Sequence, residues 1–356
     1  MQIDELLQIA AERMASDLHV RAGGPPYLRI DGELVPLDSP TLSSPEVERM
    51  AFDLMTEEQV RAFKGSNEAD FAYTLPGVAR FRVNTFRQRG SVGIAIRRVL
   101  PGSSSFEALG LPSVVRNLCE ERRGLILVTG MTGSGKTTTT AAMLNYINST
   151  RRCHIVTVED PIEVLHPDRL AIVDQREVGI DTADFSVALK HVARQDPDVI
   201  FIGEMRDYET VKAALSAAET GHLVISTLHT LDATETVNRI IDFFPPHQHL
   251  QARMTLAGTL RGIVSQRLIL RADGSGRVPA VEILVSNGRV YDMIVNAEQT
   301  HLIEDVIREG DFYGMQTFDQ HLVQLVRAGA VAVDDAATVA TSPHDFSIAL
   351  QQEGVV

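Results

Sequence analysis

The chain carries Gly130-Met131-Thr132-Gly133-Ser134-Gly135-Lys136-Thr137, a complete phosphate-binding loop of the form G-x-x-x-x-G-K-S/T. The glycines let successive backbone N–H groups converge on phosphate oxygens, Lys136 reaches the β- and γ-phosphates, and the Thr137 hydroxyl is a ligand for Mg²⁺. An apolar run at 124–129 predicts a buried strand before the loop, and a helical pattern follows it, with a partial positive charge at its N-terminus. We therefore expect a nucleoside triphosphate with Mg²⁺, contacted by Gly130, Thr132, Gly133, Ser134, Gly135, Lys136, Thr137 and Thr138.

Composition narrows the class of protein. The 356 residues are enough for two domains, and 44% hydrophobic and 22% charged residues are typical of a globular protein. Cys119 and Cys153 have no spacing that suggests a disulfide framework or a zinc site. The first residues lack the pattern of a signal peptide, and no apolar run approaches the ~18 residues of a membrane span, so we expect a cytoplasmic protein. A net charge of −14 argues against broad nucleic-acid binding.

Two regions differ in their patterns. Residues 1–99 mix short alternating segments with helices, 100–110 include the connector-like Pro101-Gly102-Ser103-Ser104-Ser105, and 111–356 alternate apolar runs with helical patterns. Such alternation predicts βαβ units and a mainly parallel sheet, and a helical region follows from about 280 to 356. The predicted strands are Leu125–Thr129, His154–Val158, Leu170–Val173, Val199–Ile202 and Leu223–Leu228. The predicted helices are Thr138–Asn148, Thr182–Arg194, Glu209–Glu219, Glu304–Glu309, Asp319–Ala328 and Asp334–Ala340.

Carboxylates follow two of the predicted strands. In open α/β sheets ligands bind at the carboxyl ends of the strands, so these positions are candidates for the site. Glu159-Asp160-Pro161-Ile162-Glu163 would organise Mg²⁺ and its waters, and the alternative is an exposed acidic turn. Glu204 would orient the attacking water or contact the Mg²⁺ shell through water, because Gly203 stands where many phosphate-loop enzymes have an Asp. The alternative for Glu204 is an incidental match. We expect Glu159, Glu163 and Glu204 near the metal together with Thr137.

Two histidines flank the last predicted strand. His229 follows it, where an imidazole can hydrogen-bond the γ-phosphate and distinguish ATP from ADP. His222 precedes it and is also a candidate for a nucleotide role. The alternative for both is an ordinary packing or interface histidine.

Six arginines lie between residues 80 and 98, on two predicted strands. Strand alternation places several of them on one face. Three interpretations remain open at this point: a solvated face, a nucleic-acid patch, or arginines donated to the ATP site of a neighbouring subunit.

Further short motifs accompany the loop, and together they carry a resemblance. They are Ser16-Asp17-Leu18-His19, Thr157-Val158-Glu159-Asp160-Pro161-Ile162-Glu163, Arg194-Gln195-Asp196-Pro197-Asp198, Gly203-Glu204, Thr220-Gly221-His222-Leu223, Ser226-Thr227-Leu228-His229-Thr230 and Gly314-Met315-Gln316-Thr317-Phe318-Asp319. With these motifs the chain resembles the PilT-type retraction ATPases of type IV pili, within the secretion-ATPase superfamily. The resemblance implies an α/β fold class: an N-terminal PAS-like α+β domain and a C-terminal RecA-like phosphate-loop domain with a helical C-terminal tail.

The resemblance also implies roles and partners. It implies a homohexameric motor that hydrolyses ATP with Mg²⁺ at subunit interfaces and powers pilus retraction. Glu204 would be the catalytic carboxylate, Glu163 a residue near the metal water, and Arg82 and Arg97 the arginines presented across the interface. The expected partners are an inner-membrane platform protein and a paralogous retraction ATPase, with peripheral association at the inner membrane and no nucleic acid.

Other members of the superfamily supply the alternatives. Extension and type II secretion ATPases usually have a longer N-terminal region and a tetracysteine motif, which this sequence lacks. PilT-type proteins typically carry an Ala-Ile-Arg-Asn-Leu-Ile-like motif, whereas this chain has Arg289-Val290-Tyr291-Asp292-Met293-Ile294, with Tyr291 in place of a cation. We expect hydrolysis to survive this change. The alternatives are an accessory paralogue, an extension or secretion ATPase and, from other classes, a RecA-like nucleic-acid translocase or a protein that binds ATP without turnover.

Overall fold

The computed structural model describes residues 2–30, 32–101 and 105–353. The chain forms two compact units, one built from residues 1–101 and 163–165 and the other from residues 102–162 and 166–356. Residues 102–104 of the predicted connector lie outside the described residues. The predicted domain limits of 1–99, 100–110 and 111–356 stay a prediction.

Where the structure describes it, the N-terminal unit is a sheet packed with three helices. Its strands follow the order β3-β2-β1-β6-β5-β4, and every neighbour in this order is antiparallel. Ser43 and Thr56 begin two of the helices with capping boxes, in which each side chain and that of the residue three positions later satisfy backbone N–H groups. The elements are α1 (Ile3–Glu12), β1 (Asp17–Arg21), β2 (Tyr27–Ile30), β3 (Glu33–Pro36), α2 (Ser44–Asp53), α3 (Glu57–Ser66), β4 (Glu68–Leu75), β5 (Ala79–Gln88) and β6 (Ser91–Pro101).

The rest of the chain alternates strands and helices before it becomes mainly helical. The elements in chain order are α4 (Phe106–Leu109), α5 (Ser113–Cys119), β7 (Gly124–Thr129), α6 (Lys136–Thr150), β8 (His154–Glu159), β9 (Val164–Leu165), β10 (Ile172–Glu177), α7 (Phe185–Val192), β11 (Val199–Ile202), α8 (Tyr208–Glu219), β12 (Leu223–Leu228), α9 (Ala233–Asp242), α10 (His249–Thr259), β13 (Leu260–Leu270), β14 (Arg277–Val285), α11 (Gly288–Val295), α12 (Ile303–Arg308), α13 (Phe318–Arg327), α14 (Val333–Val339) and α15 (Pro343–Gln352). Short 3₁₀ helices span Pro246–Gln248, Ala297–Leu302 and Asp311–Tyr313.

The short strand β9 belongs to the N-terminal unit. Its residues Val164 and Leu165 pair in parallel with Leu100 and Pro101 of β6. The chain therefore returns to the N-terminal sheet after β8 has been formed in the C-terminal unit.

The C-terminal unit contains a sheet of order β10-β8-β11-β12-β7-β13-β14. The first six strands are parallel, and β14 is antiparallel to β13. β7, β8, β11 and β12 are buried along most of their length, as expected for a parallel sheet with covered faces. Ile202 lies beside Val158 and Ser226, and Leu228 beside Thr129. The carboxyl ends of these four strands therefore meet at one edge.

Four of the five predicted strands are confirmed to within one residue. The prediction of Leu170–Val173 is wrong in position, because β10 runs from Ile172 to Glu177 and continues through polar residues at the edge of the sheet. The hairpin of β13 and β14 was not predicted. Helices follow it, as expected for the C-terminal region. Among the described residues, no helix has both the length and the apolar character that crossing a membrane requires.

Candidate nucleotide-binding site

The phosphate-binding loop connects β7 to α6 with glycines in the left-handed region. Gly130 has φ 141° and Gly135 has φ 92°. A Cβ atom on Gly130 would lie 2.4 Å from the carbonyl oxygen of Gln266, so the loop passes directly against β13. Gly135 is the N-cap of α6, which begins at Lys136. The first N–H groups of α6 have no partners within the helix, and they give this end its affinity for anions.

Lys136 folds back over the loop. Its Nζ donates hydrogen bonds to the carbonyl oxygens of Gly130, at 2.7 Å, and Met131, at 3.0 Å. The next residue, Thr137, lies in the first turn of α6. The structure thus brings all the predicted loop residues from Gly130 to Thr138 together at the carboxyl end of β7.

Glu159 is the last residue of β8 and is almost fully buried. Its Oε1 accepts hydrogen bonds from Oγ1 of Thr157, at 2.6 Å, and from Nε2 of Gln175 on β10, at 3.1 Å. A Cβ atom on Gly203 would lie 3.4 Å from the Cα of Glu159. This is an ordinary van der Waals distance, and it shows that Gly203 packs closely beside Glu159 at the end of β11.

Glu204 follows β11 and contacts two basic side chains. Its Oε2 lies 3.2 Å from Nε2 of His229, and Arg206 forms an ion pair with its other oxygen. Burial lowers the pKa of His229 below its ordinary value, and the positive charges of Lys136 and Arg206 lower it further. A neutral imidazole can donate its Nε2–H to the carboxylate of Glu204. His229, Glu204 and Lys136 therefore belong to one electrostatic neighbourhood.

Two hydroxyl groups join the ends of β11 and β12. Oγ1 of Thr227 donates to the carbonyl oxygen of Gly203 at 2.7 Å, and Oγ of Ser226 donates to that of Ile202 at 2.8 Å. These bonds hold together the two backbone segments that lead into Glu204 and His229.

The chemistry of these donors fits Mg²⁺. This ion prefers oxygen ligands and is usually held by one or two carboxylates together with phosphates and waters, so it needs no cage made of protein alone. Among the described residues no group of three or more His, Cys, Asp or Glu is arranged to hold a metal. The Thr137 hydroxyl in the first turn of α6 and the Glu159 carboxylate at the end of β8 are oxygen donors at this edge of the sheet.

His222 lies away from these residues. It precedes β12, and its carbonyl oxygen accepts a hydrogen bond from the N–H of Gly124 at the start of β7. Its Nδ1 lies 2.9 Å from the carbonyl oxygen of Ala217. At about 3.3 Å per residue, the length of β12 separates it from His229 by roughly 20 Å. The structure does not bring His222 to the loop of its own chain, and its nucleotide role stays a prediction.

Arg82 and Arg97 lie in the N-terminal unit, directly opposite each other on β5 and β6. Both are exposed, and Nε of Arg97 forms an ion pair with Asp17 at 2.8 Å. Partial burial would raise the pKa of Asp17, but hydrogen bonds from Arg97 and Ser16 lower it below its ordinary value. The two guanidinium groups therefore lie on one face of the sheet, and Asp17 partly balances the charge of Arg97.

Glu163 also belongs to the N-terminal unit, immediately before β9. Its role near the metal water stays a prediction, and so do the roles of Arg82 and Arg97 at a subunit interface.

Three residues of the site were missed from the sequence. Arg206 could have been noticed because it stands two positions after Glu204. Gln175 and Gln266 had no usable signal, because the position of β10 was misjudged and β13 was not predicted. Both lie beside the site only through strand pairing.

The altered stretch near the C-terminus forms most of α11. Val290 and Ile294 are buried, Tyr291 is exposed, and Arg289 pairs with Glu309 at 2.8 Å. The substituted Tyr291 therefore occupies a surface position.

Comparisons with known proteins agree with this architecture. Residues 1–304 match the family described as Type II/IV secretion system protein. The type IV pilus retraction ATPase PilT of Pseudomonas aeruginosa is 43% identical over 97% of this chain and 100% of its own length. The type IV pilus ATPase PilU of the same organism is 40% identical over 99% of this chain and 92% of its own length.

Among solved structures, the pilus retraction motor PilT with bound ADP matches with a TM-score of 0.88 and 45% identity, covering 97% of this chain and 98% of that one. The predicted resemblance and the predicted fold class, an N-terminal domain followed by a RecA-like ATPase domain, are confirmed. The chain belongs to the Type II/IV secretion system protein family, and nearly its whole length is similar to PilT-type retraction ATPases.

Proposed function

We propose that this chain is an ATP-hydrolysing motor that powers type IV pilus retraction, and hence twitching motility. One observation carries the proposal. The phosphate loop, Glu159 and the Glu204–His229 pair converge on one edge of one sheet, in a chain similar to PilT over nearly its full length.

Each residue has a role in the proposed reaction. Water attacks the γ-phosphorus, the bond from phosphorus to the β–γ bridging oxygen breaks, and ADP leaves with that oxygen. Glu204 orients the water and accepts its proton, which then passes to the phosphate product. Lys136 neutralises the β- and γ-phosphates, and His229 detects the γ-phosphate through its bond to Glu204. When bound, Mg²⁺ neutralises phosphate charge, and Thr137, Glu159 and, through water, Glu163 and Glu204 would hold it.

The proposed assembly is a homohexamer with ATP at subunit interfaces. Arg82 and Arg97 would reach the ATP of the neighbouring subunit, and His222 would act at the same interface. The ring would work in the cytoplasm, at the inner membrane, on a platform protein of the pilus. The N-terminal face with two opposed arginines supports a contact with anionic phosphates.

An assay of ATP hydrolysis by the purified full-length chain tests the proposed ATPase activity. We expect Lys136→Ala to lose nucleotide affinity and turnover, and Glu204→Ala to bind ATP normally but to lose turnover by about 100-fold or more. Hydrolysis at the wild-type rate by Glu204→Ala would contradict the assignment. Nucleotide binding without turnover in the wild type would support the regulatory alternative, and stimulation by DNA or RNA would support a translocase.

Deletion of the gene tests the direction of movement. Excess pili that fail to retract, with loss of twitching, would support a retraction motor, whereas absent pili would support an extension motor. Complementation with Glu204→Ala should fail in either case, because force requires hydrolysis.

A second candidate is an accessory motor that works beside a paralogous retraction ATPase. Tyr291 in place of a cation supports it, and the chain is also similar to PilU, at 40% identity over 99% of its length. Retraction that weakens but persists after deletion would support this candidate over a principal motor.

A further inference from the structure

The back of the phosphate loop rests on β13. Gln266 on this strand has no exposed surface, and its Nε2 donates a hydrogen bond of 2.6 Å to the carbonyl oxygen of Ser134. A Cβ atom on Gly135 would lie 3.0 Å from the same Nε2. One residue earlier on β13, Oγ of Ser265 accepts a hydrogen bond of 2.9 Å from Oγ1 of Thr129. Two consecutive polar residues of β13 therefore bind the residues before and within the loop.

Stability alone does not explain the amide of Gln266. Its Oε1 is buried and has no hydrogen-bond partner in the part of the chain that the structure describes. Turning the amide over would place this oxygen against the Ser134 carbonyl, which is also an acceptor, so Nε2 must face Ser134. A buried acceptor without a donor opposes folding, and a methionine of similar volume would avoid that cost. The feature that distinguishes glutamine from methionine at this position is the hydrogen bond that its amide donates to the loop.

That bond fixes the direction of a loop N–H group. The Ser134–Gly135 peptide is planar and trans, so the N–H of Gly135 points opposite to the Ser134 carbonyl. Because the carbonyl is held on the β13 side, this N–H is directed away from β13. Gly135 is also the N-cap of α6, where N–H groups bind phosphate oxygens.

We propose that Gln266 is a positioning residue of the nucleotide site, which aligns the N–H groups of the phosphate loop before ATP binds. The inference rests on the proposed nucleotide role of the loop. The proposed role affects the affinity for nucleotide, because the loop contacts phosphates in both the substrate and the transition state. Such uniform binding lowers KM without raising kcat.

The test is Gln266→Met in the full-length chain, with Gln316→Met as the matched control. Gln316 is also buried and donates from Nε2 to a strand carbonyl, that of Val281, at 3.2 Å, but none of its hydrogen bonds among the described residues reaches the loop. Lys136→Ala serves as the reference for loss of the loop itself. The measurements are the Kd of a fluorescent ADP analogue, KM and kcat for ATP, and the Tm without nucleotide.

We expect Gln266→Met to raise Kd and KM about five- to tenfold, with kcat within about twofold of wild type. Its Tm should stay near that of the wild type, because the variant removes the unpaired Oε1 of Gln266 but leaves the Ser134 carbonyl without its donor, and these two effects on stability oppose each other. Gln316→Met should lower Tm and leave KM unchanged. A variant damaged only in its folding would lose active protein, which lowers apparent kcat and not affinity.

An unchanged Kd and KM in Gln266→Met would overturn the inference, whatever happens to its Tm. If Gln266→Met does not fold, Gln266→Asn is read by the same criterion, because its shorter side chain keeps the amide but withdraws it from Ser134. If Lys136→Ala also binds ADP normally, the proposed role of the loop fails first. If Gln266→Met binds ADP normally while Lys136→Ala loses ADP binding, only the proposed role of Gln266 is rejected, and the role of the loop stands.

Discussion

Oε2 of Glu204 lies 3.2 Å from Nε2 of His229, although 25 positions separate the two residues in the chain. They meet because each follows one of two adjacent parallel strands, β11 and β12, in which Ile202 lies beside Ser226. This pairing joins the proposed hydrolytic carboxylate to a neutral imidazole near the ammonium group of Lys136.

His229→Ala should lower kcat for ATP by about 10- to 100-fold and leave the Kd of ADP nearly unchanged, because the imidazole acts on the γ-phosphate side of the site. Steady-state hydrolysis and equilibrium binding measure the two effects. His247→Ala, a change outside the sheet edge, is the control. An unaltered kcat in His229→Ala would mean that the contact with Glu204 is only structural.

Mixed rings test the arginines of the N-terminal unit. Arg82→Ala and Lys136→Ala subunits should each be inactive alone. Mixed in equal amounts, they should regain about a quarter of the active interfaces, because an intact Lys136 can then face an intact Arg82 of the next subunit. The readout is ATP hydrolysis by mixed rings of verified composition.

Arg87→Ala is the matched control for this experiment. Arg87 lies on the same strand, β5, but pairs with Glu48 at 2.8 Å. This variant should stay active without mixing. Mixed rings that form and show no recovery would exclude donation of Arg82 between subunits.

Thr157→Val should weaken the use of Mg²⁺. The hydroxyl of Thr157 orients Glu159, and loss of such a supporting bond typically lowers metal affinity by about tenfold or more. Titration of ATP hydrolysis with Mg²⁺ should therefore require a higher concentration for half-maximal rate. Thr150→Val removes an exposed hydroxyl on α6 and should not change the titration. If the Mg²⁺ titration curves of Thr157→Val and Thr150→Val coincide, Glu159 does not contribute to the use of the metal.

Glu282 should make stability depend on pH. It lines a cavity of about 1240 Å³ together with Asp232, Glu304 and Arg267. Burial raises the pKa of its carboxyl group to about 8, against the opposing bond from the Ala233 N–H and the charge of Arg267. Between the ordinary value of 4.5 and about 8, the folded state holds a proton that the unfolded chain has released. The free energy of unfolding therefore falls as pH rises through this window.

Glu282→Gln should remove this decline, so its Tm should exceed that of the wild type increasingly from about pH 5 to about pH 8. Thermal unfolding without nucleotide across this range is the measurement. Glu309→Gln, which changes an exposed carboxylate paired with Arg289, is the control. Parallel profiles for the wild type and Glu282→Gln would show that Glu282 is ionised in the folded state.

Local patterns were sufficient for the centre of the site. The loop at 130–137 has a fixed spacing, and β7, β8, β11 and β12 are short apolar runs followed by polar residues, so Glu159, Glu204 and His229 could be assigned to strand ends. Parallel pairing then brings them to one edge without further information from the sequence.

Features created by distant pairing could not be predicted in this way. β10 lies at the edge of the sheet and carries polar side chains, so its hydropathy did not mark its limits. Gln266 meets Ser134 across 132 positions, and only the pairing of β13 with β7 brings them together.

The strand β9 has a consequence for recombination within the family. Val164 and Leu165 extend the N-terminal sheet through their pairing with β6, yet they lie between β8 and β10 in the chain. A chimaera that takes residues 1–101 from one relative and the remainder from another would join a foreign strand to this sheet. Exchange of the N-terminal unit as an intact module therefore requires the transfer of two separate segments, residues 1–101 and residues 163–165.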